Sequence, residues 1–159
     1  MTTLSIVPEG YDEIIEAYGD CNSADFYKDN IIWQRSPIAL RLSWDPDIRI
    51  GGFLAHRIVG PVMADAIAEI RDFAGLGYLH ENEYDMFGGC FNQRGKRGGV
   101  GMSTHAWGIA VDWCPALGPM GGPTRMPQFI VDAFTKRGFI WGGDWKIQDA
   151  MHFQACSGW

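Results

Sequence analysis

The stretch Ser103-Thr104-His105-Ala106-Trp107-Gly108-Ile109-Ala110-Val111-Asp112-Trp113 decides how the rest of this chain is read. From Gly108 to Trp113 it is apolar except for one Asp, and Pro115 stops it, as expected of a short buried strand. A carboxylate on such a strand must be paired, hydrogen-bonded or metal-bound, because an isolated buried charge is too costly. His105 precedes it. A second His stands beside an acid in another strand-like run, Asp149-Ala150-Met151-His152-Phe153. Two imidazoles and one carboxylate form the ligand set of an open, catalytic type of zinc site. Without thiolate they suit a Lewis-acid centre better than a structural one. A structural ion pair accounts for the same three residues, and these residues alone do not separate the two readings.

Working outward, residues 11–20 read as a short helix, with Ile14, Ile15 and Tyr18 on one face and Gly19 as its stop. Residues 21–37 read as an irregular connection ending in Ser-Pro. Residues 38–44 alternate as a strand, broken by Asp45-Pro46-Asp47. The apolar spacing from Phe53 to Phe73 predicts a helix over 53–75, kinked or broken at Pro61 and closed by Gly75. Residues 84–90 are a candidate strand, 94–102 a basic Gly-rich loop and 115–124 a Gly/Pro loop. Residues 127–137 form a helix closed by Gly138, and 139–141 and 151–155 are short strands around a turn at 142–144. The expectation is an α+β fold, with helices packed on a small antiparallel sheet.

A length of 159 residues suits one domain, 1–159, with the motif-bearing core at about 53–156. At 47% apolar and 20% charged residues the chain is globular rather than disordered. A formal charge of −6 disfavours a nucleic-acid partner, which calls for a basic face. No apolar run approaches the roughly 18 residues of a membrane span, and the N-terminus does not read as a secretory signal. Cys21, Cys90, Cys114 and Cys156 contain no C-x-x-C pair, which excludes a zinc knuckle, and they read as buried free thiols. Gly98–Gly101 lacks the Gly-Lys-Ser/Thr of a P-loop. His56 reads as a helix residue and His80 as a loop residue, neither a ligand. Trp113 reads as core, and Trp145 as lining a cleft.

The S-x-H-x-x-G-x-A-x-D pattern at 103–112, followed by Trp141-Gly142-Gly143-Asp144-Trp145 and Asp149-x-Met151-His152-Phe153, resembles the zinc peptidoglycan peptidases. These are the D-Ala-D-Ala carboxypeptidases and the phage L-alanyl-D-glutamate endopeptidases, which share a fold with the Hedgehog signalling domain. The resemblance runs from about Phe87 to Phe153. It is looser over Tyr11–Gly75, where it leans, with Gly142–Trp145, toward the phage endopeptidases. It implies that His105, Asp112 and His152 hold Zn²⁺, that Asp149 is the general base, and that Arg94 polarises the substrate carbonyl, with Arg97 its near rival. It further implies a supporting or substrate-binding place for Ser103, with Trp145 at the cleft. Where the family commonly has Glu after His-Phe, this chain has Gln154.

The implied function is a monomeric zinc metallopeptidase that hydrolyses peptidoglycan stem peptides, with an endolysin-like L-Ala-D-Glu endopeptidase as the leading form. A D-Ala-D-Ala carboxypeptidase is the alternative of the same class. A non-catalytic zinc or cell-wall-binding module of a virion is the alternative of another class. The expected partner is the stem peptide, with neither nucleic acid nor membrane. The expected route to the wall is release at host lysis or delivery by a bacteriophage particle.

Overall fold

The computed structural model describes all residues 1–159. In chain order it contains α1 (Gly10–Tyr18), α2 (Phe26–Asn30), β1 (Ile31–Leu42), β2 (Asp45–His56), α3 (Gly60–Ala74), α4 (Leu76–Glu81), β3 (Met86–Gly89), β4 (Ala110–Trp113), α5 (Gln128–Thr135), β5 (Ile140–Trp141) and β6 (His152–Gln154). The strands form one six-stranded sheet in the order β2-β1-β3-β4-β6-β5. The fold is α+β, but the sheet is mixed rather than purely antiparallel. β1 runs parallel to β3, with Arg41 opposite Met86 and Leu42 opposite Phe87. That pairing is reached through α3 and α4, the kind of long connection that parallel neighbours require.

The N-terminal half departs furthest from expectation. Residues 21–37 are not irregular, since they hold α2 and the first half of β1. Ser36-Pro37 falls within the register shift between Arg35 and Leu40 rather than ending the strand. A bulge is one of the few places where a sheet accepts a residue without an N–H. Asp45-Pro46 opens the return strand, with Leu42 paired to Asp45 around a two-residue tip. The stretch 53–75 is not one helix. Phe53 to His56 close β2, and the helix begins at Gly60. Pro61 stands in its first turn, where the missing N–H has no partner to lose, so it starts the helix and does not kink it.

One apolar core joins the halves. Helix α3 buries Val62, Met63, Ala66, Ile67 and Ile70. From the other side, Val111, Trp113, Phe134 and Phe153 are fully buried, and the Phe134 and Phe153 rings stack at 4.4 Å. Buried Arg137 pairs with Glu69 at 2.6 Å, tying the end of α5 to α3. The four cysteines are buried free thiols. No helix is long and apolar enough to cross a membrane.

His56 and His80 also differ from expectation. His56 is a fully buried strand residue at the end of β2. Its Nδ1 accepts from the Ile58 N–H at 3.2 Å, so Nε2 carries the proton and donates to the Tyr18 carbonyl at 3.0 Å. His80 lies on α4 and its Nδ1 is 3.2 Å from Asp85, which also pairs with Arg41.

Candidate metal centre and active site

Strand register builds half of the site. In the β4/β6 ladder Asp112 lies directly opposite His152, and Ala110 opposite Gln154. Side chains alternate along a strand, so Val111 and Phe153 enter the core while Asp112, His152 and Gln154 share the other face. The Asp112 Oδ1 is 3.0 Å from the His152 Nδ1.

His105 arrives from a 3₁₀ turn, Thr104–Trp107, just before β4. Ser103 caps that turn, its Oγ accepting from the His105 N–H at 3.3 Å. Gly108 ends it in a left-handed conformation at φ +68°. A Cβ at Gly108 would stand 2.7 Å from the His56 backbone nitrogen, which donates to the Gly108 carbonyl at 2.9 Å. The glycine of the motif is therefore needed both for the turn and for packing against β2. With this geometry the His105 Nε2 lies 3.3 Å from the Asp112 Oδ1, and the two imidazoles stand nearly perpendicular, centroids 5.0 Å apart.

The hydrogen bonds settle which nitrogen of each ring is free. His105 Nδ1–H donates to the Cys90 carbonyl at 2.6 Å, leaving Nε2 bare, buried and without a partner. His152 Nε2–H donates to the Gln154 Oε1 at 2.9 Å, leaving Nδ1 turned to Asp112. The Gln154 amide is itself oriented, because its NH₂ donates to the Cys156 carbonyl at 3.1 Å and its oxygen also accepts from the Thr104 hydroxyl. The departure from Glu at 154 thus keeps the acceptor that His152 requires. One atom from each of His105, Asp112 and His152 lies within 4.8 Å of the others. Three convergent N and O donors, one of them orphaned, fit a small divalent cation of the zinc type.

Electrostatics agree with that fit. Burial opposes ionisation of Asp112, but the adjacent His105 and His152 imidazoles outweigh it and hold the carboxyl well below its usual range. Burial disfavours the charged form of His152, yet the Asp112 contact prevails and raises its pKa. The three groups together therefore favour positive charge at the point where they converge.

Asp149 stands in the turn that leads into β6. Its backbone N–H donates to the Gly142 carbonyl at 2.9 Å, and its carbonyl accepts from the His152 N–H at 3.0 Å. Its Oδ1 is buried without a partner, and burial raises its pKa, with the charges of His152 and His105 partly offsetting this. His105, Asp112, His152, Asp149, Ser103, Arg94, Arg97 and Trp145 all line one cleft, so the structure brings together every residue singled out for the site. Trp145 lies 5.4 Å from the His152 ring. Ser103 contributes its cap to the 3₁₀ turn. Arg94 is half-buried and donates to the Gly95 carbonyl at 3.2 Å, while exposed Arg97 carries the charge that acts on Asp149. Thr104 and the Cys90 carbonyl were not legible as parts of the site. Their roles depend on which backbone and side chains the fold sets beside the two rings.

No solved structure matches the chain. Residues 97–155 match a family model described as D-alanyl-D-alanine carboxypeptidase. The matched stretch runs from the basic loop through β6 and holds the His/Asp/His cluster and Asp149; over it the chain is similar to that family.

Proposed function

We propose that this protein is a zinc-dependent hydrolase of peptidoglycan stem peptides, and that the bond it cuts is L-Ala–D-Glu. The observation that carries the catalytic reading is the convergence of the bare His105 Nε2, the His152 Nδ1 and the Asp112 Oδ1 with the unpartnered Asp149 carboxyl in one cleft. A module that only binds zinc or the wall gains nothing from a buried carboxyl with a raised pKa, which costs stability.

His105, Asp112 and His152 would hold the ion, which supplies Lewis acidity at neutral pH when bound. Asp149 takes a proton from the attacking water and returns it to the departing amine. Its raised pKa brings it nearer the operating pH and so suits it to both steps. Arg94 bears on the scissile carbonyl oxygen, where negative charge develops. Trp145 and Ser103 shape the cleft around the peptide.

Resemblance over Tyr11–Gly75 and Gly142–Trp145 to the phage enzymes supports the endopeptidase and, with it, an endolysin or virion setting. The description of the matching family favours D-Ala–D-Ala as the second reading. Digestion of purified peptidoglycan followed by mass spectrometry separates them. New N-terminal D-Glu and glycan strands bearing only L-Ala are expected. Release of single D-Ala without stripped strands would move the assignment to the carboxypeptidase. No product at all from protein shown by elemental analysis to carry one zinc would favour the binding module.

A further inference from the structure

One wall of the cleft carries uncompensated charge. Arg94, Lys96 and Arg97 line it, and none of them is in a salt bridge, in a protein of formal charge −6. Arg94 and Arg97 face the roles described above. Lys96 has none, and it is the cation held most deliberately. Its Nζ lies 3.6 Å from the centroid of the Trp159 ring. Burial lowers the Lys96 pKa, and the ionisable group that opposes this is the Cys156 thiol, which burial pushes up to about 12.

Trp159 clasps the loop at both ends. Its indole N–H donates to the Met102 carbonyl at 2.9 Å, and its face lies so close to Gly101 that a Cβ there would stand 2.7 Å from the ring. Tyr11 backs the indole at 5.0 Å and Trp107 meets it edge-on at 6.5 Å. Lys96 N–H also donates to the Gly101 carbonyl at 2.9 Å, closing the loop on itself. An aromatic face attracts an ammonium but neutralises none of its charge. The result is a preorganised cation in the cleft, with much of the ordering cost of binding an anion already met.

We propose that Lys96, held by Trp159, is the receptor for a free α-carboxylate on the residue that leaves from the scissile bond. This rests on the stem-peptide reading above and adds what the site selects. D-Glu in the stem is joined onward through its γ-carboxyl, so its α-carboxylate is free beside the scissile nitrogen. The terminal D-Ala of D-Ala–D-Ala offers the same group at the same place. Amidation of that carboxyl removes the charge and leaves the scissile bond intact.

The test compares two synthetic stem peptides that differ only in the D-Glu α-carboxyl, free or amidated, and likewise an acylated D-Ala–D-Ala against its C-terminal amide. For the bond that is cut, the zinc-loaded wild type should prefer the free acid by about 10–100-fold in kcat/KM, mostly through KM. Lys96→Gln should collapse that ratio toward one. Trp159→Leu should do the same, while Trp159→Phe, which keeps an aromatic platform, should retain it. An indifferent wild type, or an undiminished ratio in Lys96→Gln, would overturn the proposal. If the wild type cuts none of the peptides, it is the stem-peptide reading that fails. Calorimetric affinities of the same pairs for wild type and Lys96→Gln then judge the receptor separately, and equal affinities for acid and amide would refute it.

Discussion

Replacing Gln154 by Leu removes the group that dictates how His152 presents itself. Gln154 is buried at 3% exposure, and its amide makes three hydrogen bonds, to His152 Nε2, the Thr104 hydroxyl and the Cys156 carbonyl. Leu has nearly the same volume, so the packing loss is small and the polar loss dominates. Each buried partner left unsatisfied costs about 1–3 kcal/mol. Thr104 can turn its hydroxyl toward the His152 Nε2, already 3.3 Å away. That leaves mainly the Cys156 carbonyl and a weakened His152 contact, and a net loss of about 2–4 kcal/mol. Once Nε2–H is not held by Gln154, the ring can place its proton on Nδ1, the nitrogen facing Asp112. Loss of such an orienting partner typically lowers metal affinity 10–100-fold. Gln154→Glu keeps the acceptor for His152 and Thr104 but sets a carboxylate against the Cys156 carbonyl. It should therefore lose stability while holding zinc nearly as well as the wild type. Thermal unfolding in chelator reads the first effect, and competition with a chromophoric chelator reads the second. If folded Gln154→Leu binds zinc as tightly as the wild type, the argument that Gln154 sets the His152 tautomer is wrong.

Three further outcomes are expected. Asp149→Asn should keep the bound metal, by elemental analysis, and lose about 10²–10⁴-fold in turnover; wild-type hydrolysis by this variant would remove Asp149 as the base. Arg94→Lys should depress kcat more than Arg97→Lys, because a guanidinium fork orients on a carbonyl where an ammonium does not; the opposite ordering would transfer the role to Arg97. Burial lowers the pKa of His56 from 6.5 to about 4, so between those values the unfolded chain binds a proton that the fold refuses. Stability should therefore fall as pH drops through that window, by about 3 kcal/mol. His56→Gln should flatten this part of the denaturant-unfolding profile relative to wild type.

The candidate ligands Asp112 and His152 stood out in the chain because each carries a local signature. Asp112 interrupts an apolar strand, and His152 follows an acid by three residues in another. The helices at 10–18 and 128–135 were legible for a similar reason, since a periodic apolar face and a closing glycine are properties of neighbouring residues. The hairpin β1/β2 was not legible. Its apolar run Phe53-Leu54-Ala55 leads directly toward the true helix, and a short apolar run has the same spacing in either state. Only pairing with residues 31–35 makes it a strand.

The tertiary structure decided what the residue types could not. The sequence holds two His and an Asp in the order that the resemblance to the zinc peptidases implies, but the choice of ring nitrogen is made elsewhere. The Cys90 carbonyl fixes His105, and Gln154 fixes His152. A hydrogen bond from a ring nitrogen depends on distances of about 3 Å, and Cys90 is brought to His105 only by the packing of the sheet. Trp159 likewise stands far along the chain from Lys96, and only the close of the fold lays one across the other. Chemistry-bearing residues are thus written locally, whereas their protonation, orientation and shared cleft are set by contacts between segments that no local pattern encodes.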